Sequence, residues 1–191
     1  MTTPLELTAA KTALVVIDLQ AGILARHVAP HAGADVLDRS AKMCAHFRAA
    51  GAQLVLVRVS FAADGSDALS QPCDELVARA RPDGWDVLSP ALGAGERDIH
   101  ITKHQWGAFY GTELDLQLRR RGITTLVMCG ISTNFGVEST ARDGWERGYS
   151  IVFAEDAMAS FDAAAHAFAV KNIFVRIGRV RSTDEILAAL S

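Results

Sequence analysis

The chain lacks the features that would mark several whole classes of protein. Its three cysteines, Cys44, Cys73 and Cys129, are odd in number and lack metal-ligand spacing. That argues against a cysteine-bound metal and fits a reducing cytoplasm. No basic run or stripe is present and the net charge is only −3, so no nucleic-acid partner is expected. No apolar stretch approaches the ~20 residues needed to cross a bilayer. The opening Met-Thr-Thr-Pro-Leu-Glu-Leu lacks the charged and apolar regions of a signal peptide. No repeat, low-complexity tract or linker divides the sequence. The 191 residues, half of them apolar, therefore read as one domain, 1–191, with room for a real core.

What is present centres on residues 125–148. Leu126–Ile131 is nearly all apolar, as a strand covered on both faces should be. Gly130 interrupts it. Ser132, Thr133 and Asn134 are helix-capping types, and the helix that follows stops at Gly148. Such a turn lies at the carboxyl end of a parallel strand, where open α/β sheets bind ligands, and it presents unpaired helix N–H groups. Gly136 falls in the first helical turn, where glycine costs about 1 kcal/mol relative to alanine. Either it lets a neighbouring backbone pack closely, or a side chain there would occupy ligand space.

The other elements alternate. Ala13–Ile17 reads as the first strand, followed by Asp18, Leu19 and Gln20; Asp18 either faces a crevice or caps local backbone. A helix over 34–50 carries a Val36, Met43, Phe47 stripe with Cys44 beside it. Gln53–Val59 is the second strand. Residues 60–97 are irregular, with a weak helix near 74–80, and form a functional cover or a surface excursion. Asp98–Thr102 is a third strand, with Lys103 directly after it. Trp106, Phe109 and Tyr110 surround two glycines, making a loop both shaped and apolar. Lys103 beside such a surface either pairs with a carboxylate or stays solvated. His104 reads as an outer or surface residue. Thr112 caps a helix ending at Arg119–Arg121. Ser150–Ala154 is a fifth strand ending at Glu155. Asp162 caps an alanine-rich helix running to about Phe174. Ile177–Val180 is a sixth strand, and Ser182 with Glu185 forms a capping box. Alternating strands and helices imply a parallel sheet covered on both faces.

Three stretches, Val-Val-Ile-Asp-Leu-Gln, Thr-Lys-His-Gln-Trp-Gly-Ala-Phe-Tyr-Gly-Thr-Glu-Leu and Gly-Ile-Ser-Thr-Asn-Phe-Gly-Val-Glu-Ser-Thr-Ala-Arg-Asp, carry a resemblance. The chain resembles the isochorismatase-like hydrolases of the cysteine hydrolase superfamily from Ala13 to Leu190. That superfamily also holds nicotinamidases and N-carbamoylsarcosine amidases. The resemblance implies a three-layer α/β/α, Rossmann-like fold with a six-stranded parallel sheet in order 3-2-1-4-5-6. It also implies a cis peptide between Ile131 and Ser132 that turns N–H groups toward the site as an anion cradle.

Most of the family uses an Asp–Lys–Cys triad. Asp18 and Lys103 fall on the first two positions, but the Cys position falls on Gly136, as in a bacterial subgroup of the family. In the amidase branch that thiolate, at a helix N-terminus, attacks the carbonyl; glycine has no atom that can. True isochorismatases also lack the Cys, and they hydrolyse a vinyl ether. The resemblance then implies that Asp18, buried and balanced against Lys103, delivers a proton and that water attacks. Candidate substrate contacts are Gln20, Trp106, Phe109, Ile131, Ser132, Asn134 and Phe135. Residues 57–75 contain acids but no histidine, which disfavours the metal of nicotinamidases, so no metal or cofactor is expected. The leading expectation is a hydrolase of a small molecule. The alternatives are a binding protein that kept the pocket and lost the nucleophile, and a structural oligomer-former. A dimer or tetramer is expected, since the family commonly assembles and the Trp106–Tyr110 loop is apolar.

Overall fold

Strands β1 (Thr12–Ile17) and β4 (Thr125–Ile131) are apolar because both faces of each are covered. Along β1, Ala13, Val15 and Ile17 enter one core cluster while Leu14 and Val16 enter the other, the two-residue period of a pleated strand. This computed structural model describes residues 4–75 and 81–191. Beyond β1, the chain runs through a short helix α1 (Ala21–Leu24), α2 (Gly33–Ala49), β2 (Gln53–Val59), β3 (Ile99–Lys103), α3 (Leu114–Arg120) and β4. It continues through α4 (Glu138–Glu146), β5 (Ser150–Ala159), α5 (Ala163–Phe168), α6 (Val175–Ile177), β6 (Arg179–Arg181) and α7 (Thr183–Ala189).

The six strands form one sheet in order β3-β2-β1-β4-β5-β6, every neighbouring pair parallel. This is the three-layer α/β/α arrangement. Helix α2 supplies Val36, Met43 and Phe47 to one face and α3 supplies Leu114 and Leu118 to the other. The order places β1 beside β4, where the connections reverse direction, and open α/β sheets bind ligands at such a point, beyond the carboxyl ends.

Several boundaries differ from the sequence reading. Gly130 does not end its strand: it lies inside β4 at φ +116°, opposite Ile17 of β1. Strand β5 continues past Ala154 to Ala159, with a register shift against Met128 and Gly130, so Glu155 and Asp156 lie within it. A bulge of this kind lets pairing resume beyond an irregularity. Two helices contain π turns, Thr133–Val137 before α4 and Ala169–Phe174 between α5 and α6. The sixth strand starts two residues late, at Arg179. The helix expected near 74–80 falls chiefly on residues 76–80, outside the described residues. Two caps match: Asp162 accepts the Ala164 N–H at 2.8 Å, and Ser182 and Glu185 form the capping box; α3 instead has Glu113, not Thr112, at its N-cap position. No helix among the described residues is long and apolar enough to cross a membrane.

Candidate active site

Asp18 is the first residue after β1 and takes a left-handed backbone conformation, φ +53°. A non-glycine residue held there costs about 1–3 kcal/mol and persists only where its surroundings fix it. Here its N–H donates to Val57 O at 3.0 Å and its carbonyl accepts the Gln20 N–H at 2.8 Å. Lys103 ends β3. The two residues are not on neighbouring strands, because β2 lies between β1 and β3. The long lysine side chain bridges that gap. Its Nζ donates to Asp18 Oδ2 at 2.8 Å and to Gln105 O at 3.0 Å. The side chains are 2% and 8% exposed, so this is a buried ion pair. Asp18 Oδ1 is buried and has no hydrogen-bond partner among the described residues.

Burial pushes the Asp18 carboxyl above its usual value of 3.8, and the charge and hydrogen bond of Lys103 work against that rise. Loss of hydration is the larger influence, so the carboxyl holds its proton to higher pH than a free aspartate.

Gly136 stands beside this pair. A Cβ built there would lie 3.2 Å from Asp18 Oδ2 and 2.9 Å from Ile17 Cγ2. The three strand ends expected to converge, Asp18, Lys103 and the 132–136 turn, do converge. The Ile131–Ser132 peptide bond is cis. After it, the Ser132 hydroxyl donates to Asn134 Oδ1 at 3.1 Å, and the Ser160 hydroxyl donates to the same oxygen. Phe135 packs between two rings, Trp106 at 4.7 Å and Phe161 at 6.4 Å between centroids. The Arg26 guanidinium lies 3.7 Å above the Phe161 ring. Trp106 is 55% exposed, so the aromatic wall reaches the surface.

Three candidate contacts are placed differently from the expectation. Gln20 is fully buried, and both ends of its amide are used by backbone. Its Nε2 donates to Val59 O at 3.0 Å and its Oε1 accepts the Val59 N–H at 2.9 Å. It clamps the end of β2 rather than facing a ligand. Phe109 is buried in the core, stacked on Tyr149 at 6.0 Å. The Ile131 side chain is 1% exposed and belongs to the other core layer. Cys44 and Cys129 are buried free thiols; burial pushes Cys44 up to about 12 and Cys129 upward too. Neither is poised as a nucleophile. His104 hydrogen-bonds Ser60 O at 2.7 Å, an outer position as expected.

The structure also gathers residues that no sequence motif joins. His31, Glu155 and His166 present one ligand atom each, all within 4.8 Å of one another. Burial raises the Glu155 carboxyl, but hydrogen bonds from His166 and His31 outweigh it and hold the group below the usual carboxylate range. Arg26 and Phe161, too, carried no local signal.

A six-stranded parallel sheet in this order, flanked by helices, is the isochorismatase-like α/β class. Residues 12–185 match the Isochorismatase domain, and the chain belongs to that family of hydrolases. It is 54% identical over 187 residues to the isochorismatase family protein YecD of Escherichia coli O157:H7, covering 97% of this chain and 100% of that one. It is 34% identical over 213 residues to the ureidoacrylate amidohydrolase RutB of Methylorubrum extorquens, covering 98% and 86%. A solved isochorismatase family protein from Burkholderia thailandensis superposes with a TM-score of 0.92 at 41% identity, covering 97% of this chain and 98% of that one.

Proposed function

We propose that the chain hydrolyses a small molecule by acid–base chemistry, with Asp18 as proton donor, Lys103 as its partner and water as nucleophile. The proposed substrate class is a vinyl ether of the isochorismatase type. The observation that carries this reading is the buried Asp18 carboxyl, one oxygen held by Lys103 and the other unpartnered among the described residues, beside a residue with no attacking atom. Amide hydrolysis through an acyl-enzyme needs a nucleophile on the chain, and Gly136 supplies none.

Protonated Asp18 gives its proton to the terminal vinyl carbon, and the C=C π pair becomes the new C–H bond. The ether-bearing carbon is left oxocarbenium-like. Water adds to it and returns a proton to Asp18. The hemiketal then collapses: its hydroxyl proton passes to the departing oxygen, the C–O bond breaks, and a keto acid and an alcohol leave. Lys103 fixes the acid in position throughout. Trp106, Phe135 and Phe161 form an apolar wall for the substrate, with Arg26 as a cationic edge suited to a carboxylate. Ser132 and Asn134 lie in the same turn as Phe135.

A panel of vinyl ethers, amides and ureides, with products detected by mass, tests this reading. Turnover of a vinyl ether supports it. Turnover confined to amides or ureides overturns the substrate class, and ligand binding without turnover favours the binding-protein alternative.

Gly136→Cys is expected to impair the native reaction about 10²-fold, the loss that follows small misplacement at a reacting centre. The new side chain would press on Ile17 and on the Asp18 carboxyl. Titrating the variant with a small alkylating reagent across pH gives a second readout. A thiol that reacts fast at acidic pH, with turnover retained, would instead indicate a relic amidase site.

We further propose a homo-oligomer, dimer or tetramer, in a reducing cytoplasm. Tyr110 is 78% exposed at the tip of the apolar loop, and three free thiols suit that compartment. Light scattering at micromolar concentration is expected to give at least twice the chain mass. Tyr110→Arg is expected to shift the population toward monomer. A monomeric native protein would refute the assembly.

A further inference from the structure

His31, Glu155 and His166 come from three separate parts of the fold. His31 follows the Ala29–Ser160 bridge, in which each residue's N–H donates to the other's carbonyl at 2.8 Å. Glu155 lies in the middle of β5, and His166 is on α5, whose start is capped by Asp162. The Nε2 atoms of His31 and His166 stand 3.2 and 3.0 Å from the same Glu155 Oε1. The other ring nitrogen of His166, Nδ1, is engaged by the Thr133 hydroxyl at 2.8 Å.

Two of the three edges are close to those of a metal polyhedron, and the third, between the two Nε2 atoms, is within 4.8 Å. Two ligand atoms about 2.0–2.1 Å from a tetrahedral ion are roughly 3.3–3.4 Å apart. The two observed edges need to open by only a few tenths of an ångström. Two imidazoles and one carboxylate suit zinc and its transition-metal neighbours, whereas magnesium and calcium favour all-oxygen sets. The contact from Thr133 to Nδ1 is the outer-shell support that metal-binding histidines usually have. His166 is almost wholly buried, while His31 and Glu155 are 26% and 33% exposed, so the trio has a rigid base and an open side.

We propose that His31 Nε2, His166 Nε2 and Glu155 Oε1 form a three-ligand site for a divalent transition metal of the zinc class, with its open side free for water. The site is distinct from Asp18–Lys103 and takes no part in the acid–base steps above. Through Thr133 it braces the turn that carries Gly136, which makes it a positioning site.

Zinc chloride, titrated by calorimetry into chelator-treated full-length protein, tests the proposal. A Cys73→Ser background removes the one exposed thiol. One zinc ion per chain is expected. His31→Ala and Glu155→Gln are each expected to weaken binding by at least about tenfold, the lower end for even an outer-shell change. Zinc should also raise the melting temperature of the parent protein and leave that of His31→Ala unmoved. His31 is partly exposed, so its removal should leave the fold intact. No zinc binding at millimolar concentration overturns the site. So does affinity unchanged from the parent in both variants, which would mean that zinc binds elsewhere and that the trio is a hydrogen-bonded cluster only.

Discussion

Asp18→Asn is expected to cut turnover of the substrate found in the panel by about 10²–10⁴-fold, the usual contribution of a positioned proton donor. Asparagine keeps the shape and can still accept from Lys103, but it has no acidic proton. At pH above the Asp18 titration, where the native carboxyl is ionised, the substitution also leaves the Lys103 charge buried without a counter-charge, at a cost of about 3–5 kcal/mol. The double variant Asp18→Asn/Lys103→Met removes both charges, and it is expected to be as inactive while recovering stability. A single variant that keeps near-native turnover would sink the mechanism. The native pH profile is a further check. A general acid acts only when protonated, so kcat/KM should fall as pH rises through the Asp18 titration. Burial sets that fall above the ordinary aspartate value of 3.8. The same shift acts on stability. The folded chain binds this proton more tightly than the unfolded chain, so the group's contribution is complete below 3.8 and is lost as pH rises through the folded value. Because Asp18 and Lys103 interact strongly, the observed midpoint belongs to the pair.

The second large effect is structural. Gly130→Ala is expected to destabilise the fold by more than about 4–5 kcal/mol, at the far end of what point substitutions do. A Cβ at Gly130 would lie 2.1 Å from Ile17 O and 2.7 Å from Ile17 N. Both atoms are backbone of the central strand paired in register with it. Neither can move without opening the β1–β4 ladder, which also carries Asp18 at its end. Gly51→Ala is the control. Gly51 is also at positive φ, +75°, but its Cβ would meet nothing within 4 Å. Its cost should be only the left-handed penalty of roughly 1–2 kcal/mol. Denaturant midpoints measure both. Equal midpoints would show that conformation, not collision, sets the requirement at Gly130.

Asp18, Lys103 and Gly136 were legible because a parallel sheet sends every strand's carboxyl end to one edge. Local sequence fixes which residues stand there. What each polar group does at that edge depends on partners far along the chain. Gln20 reads the same whether it meets a ligand or clamps Val59, and Val59 is 39 positions away. Trp106 and Phe109 sit in a glycine-bearing loop with no period, so nothing local separates the exposed ring from the buried one. The His31–Glu155 contact spans 124 positions. It also depends on β5 continuing past Ala154, which follows from the bulge against β4 rather than from composition. The π turns carry no sequence mark of their own: Ser132, Thr133 and Asn134 signal a helix start, and the same residues open the π turn Thr133–Val137.

The contact between position 136 and Ile17 also bears on how this lineage can change. Where a glycine codon ends in a pyrimidine, one base substitution makes it a cysteine codon, so the thiol used elsewhere in the family is close in genetic distance. It is not close in fitness. Ile17 is wholly buried, and its Cγ2 would stand 2.9 Å from the incoming Cβ. Touching residues couple in their effects, so the two positions form a pair. A smaller residue at 17 would relieve the contact of a cysteine at 136, at the cost of a core cavity with nothing gained at the active site. Acquiring thiol chemistry at this position is therefore expected to need change at both residues, not at one.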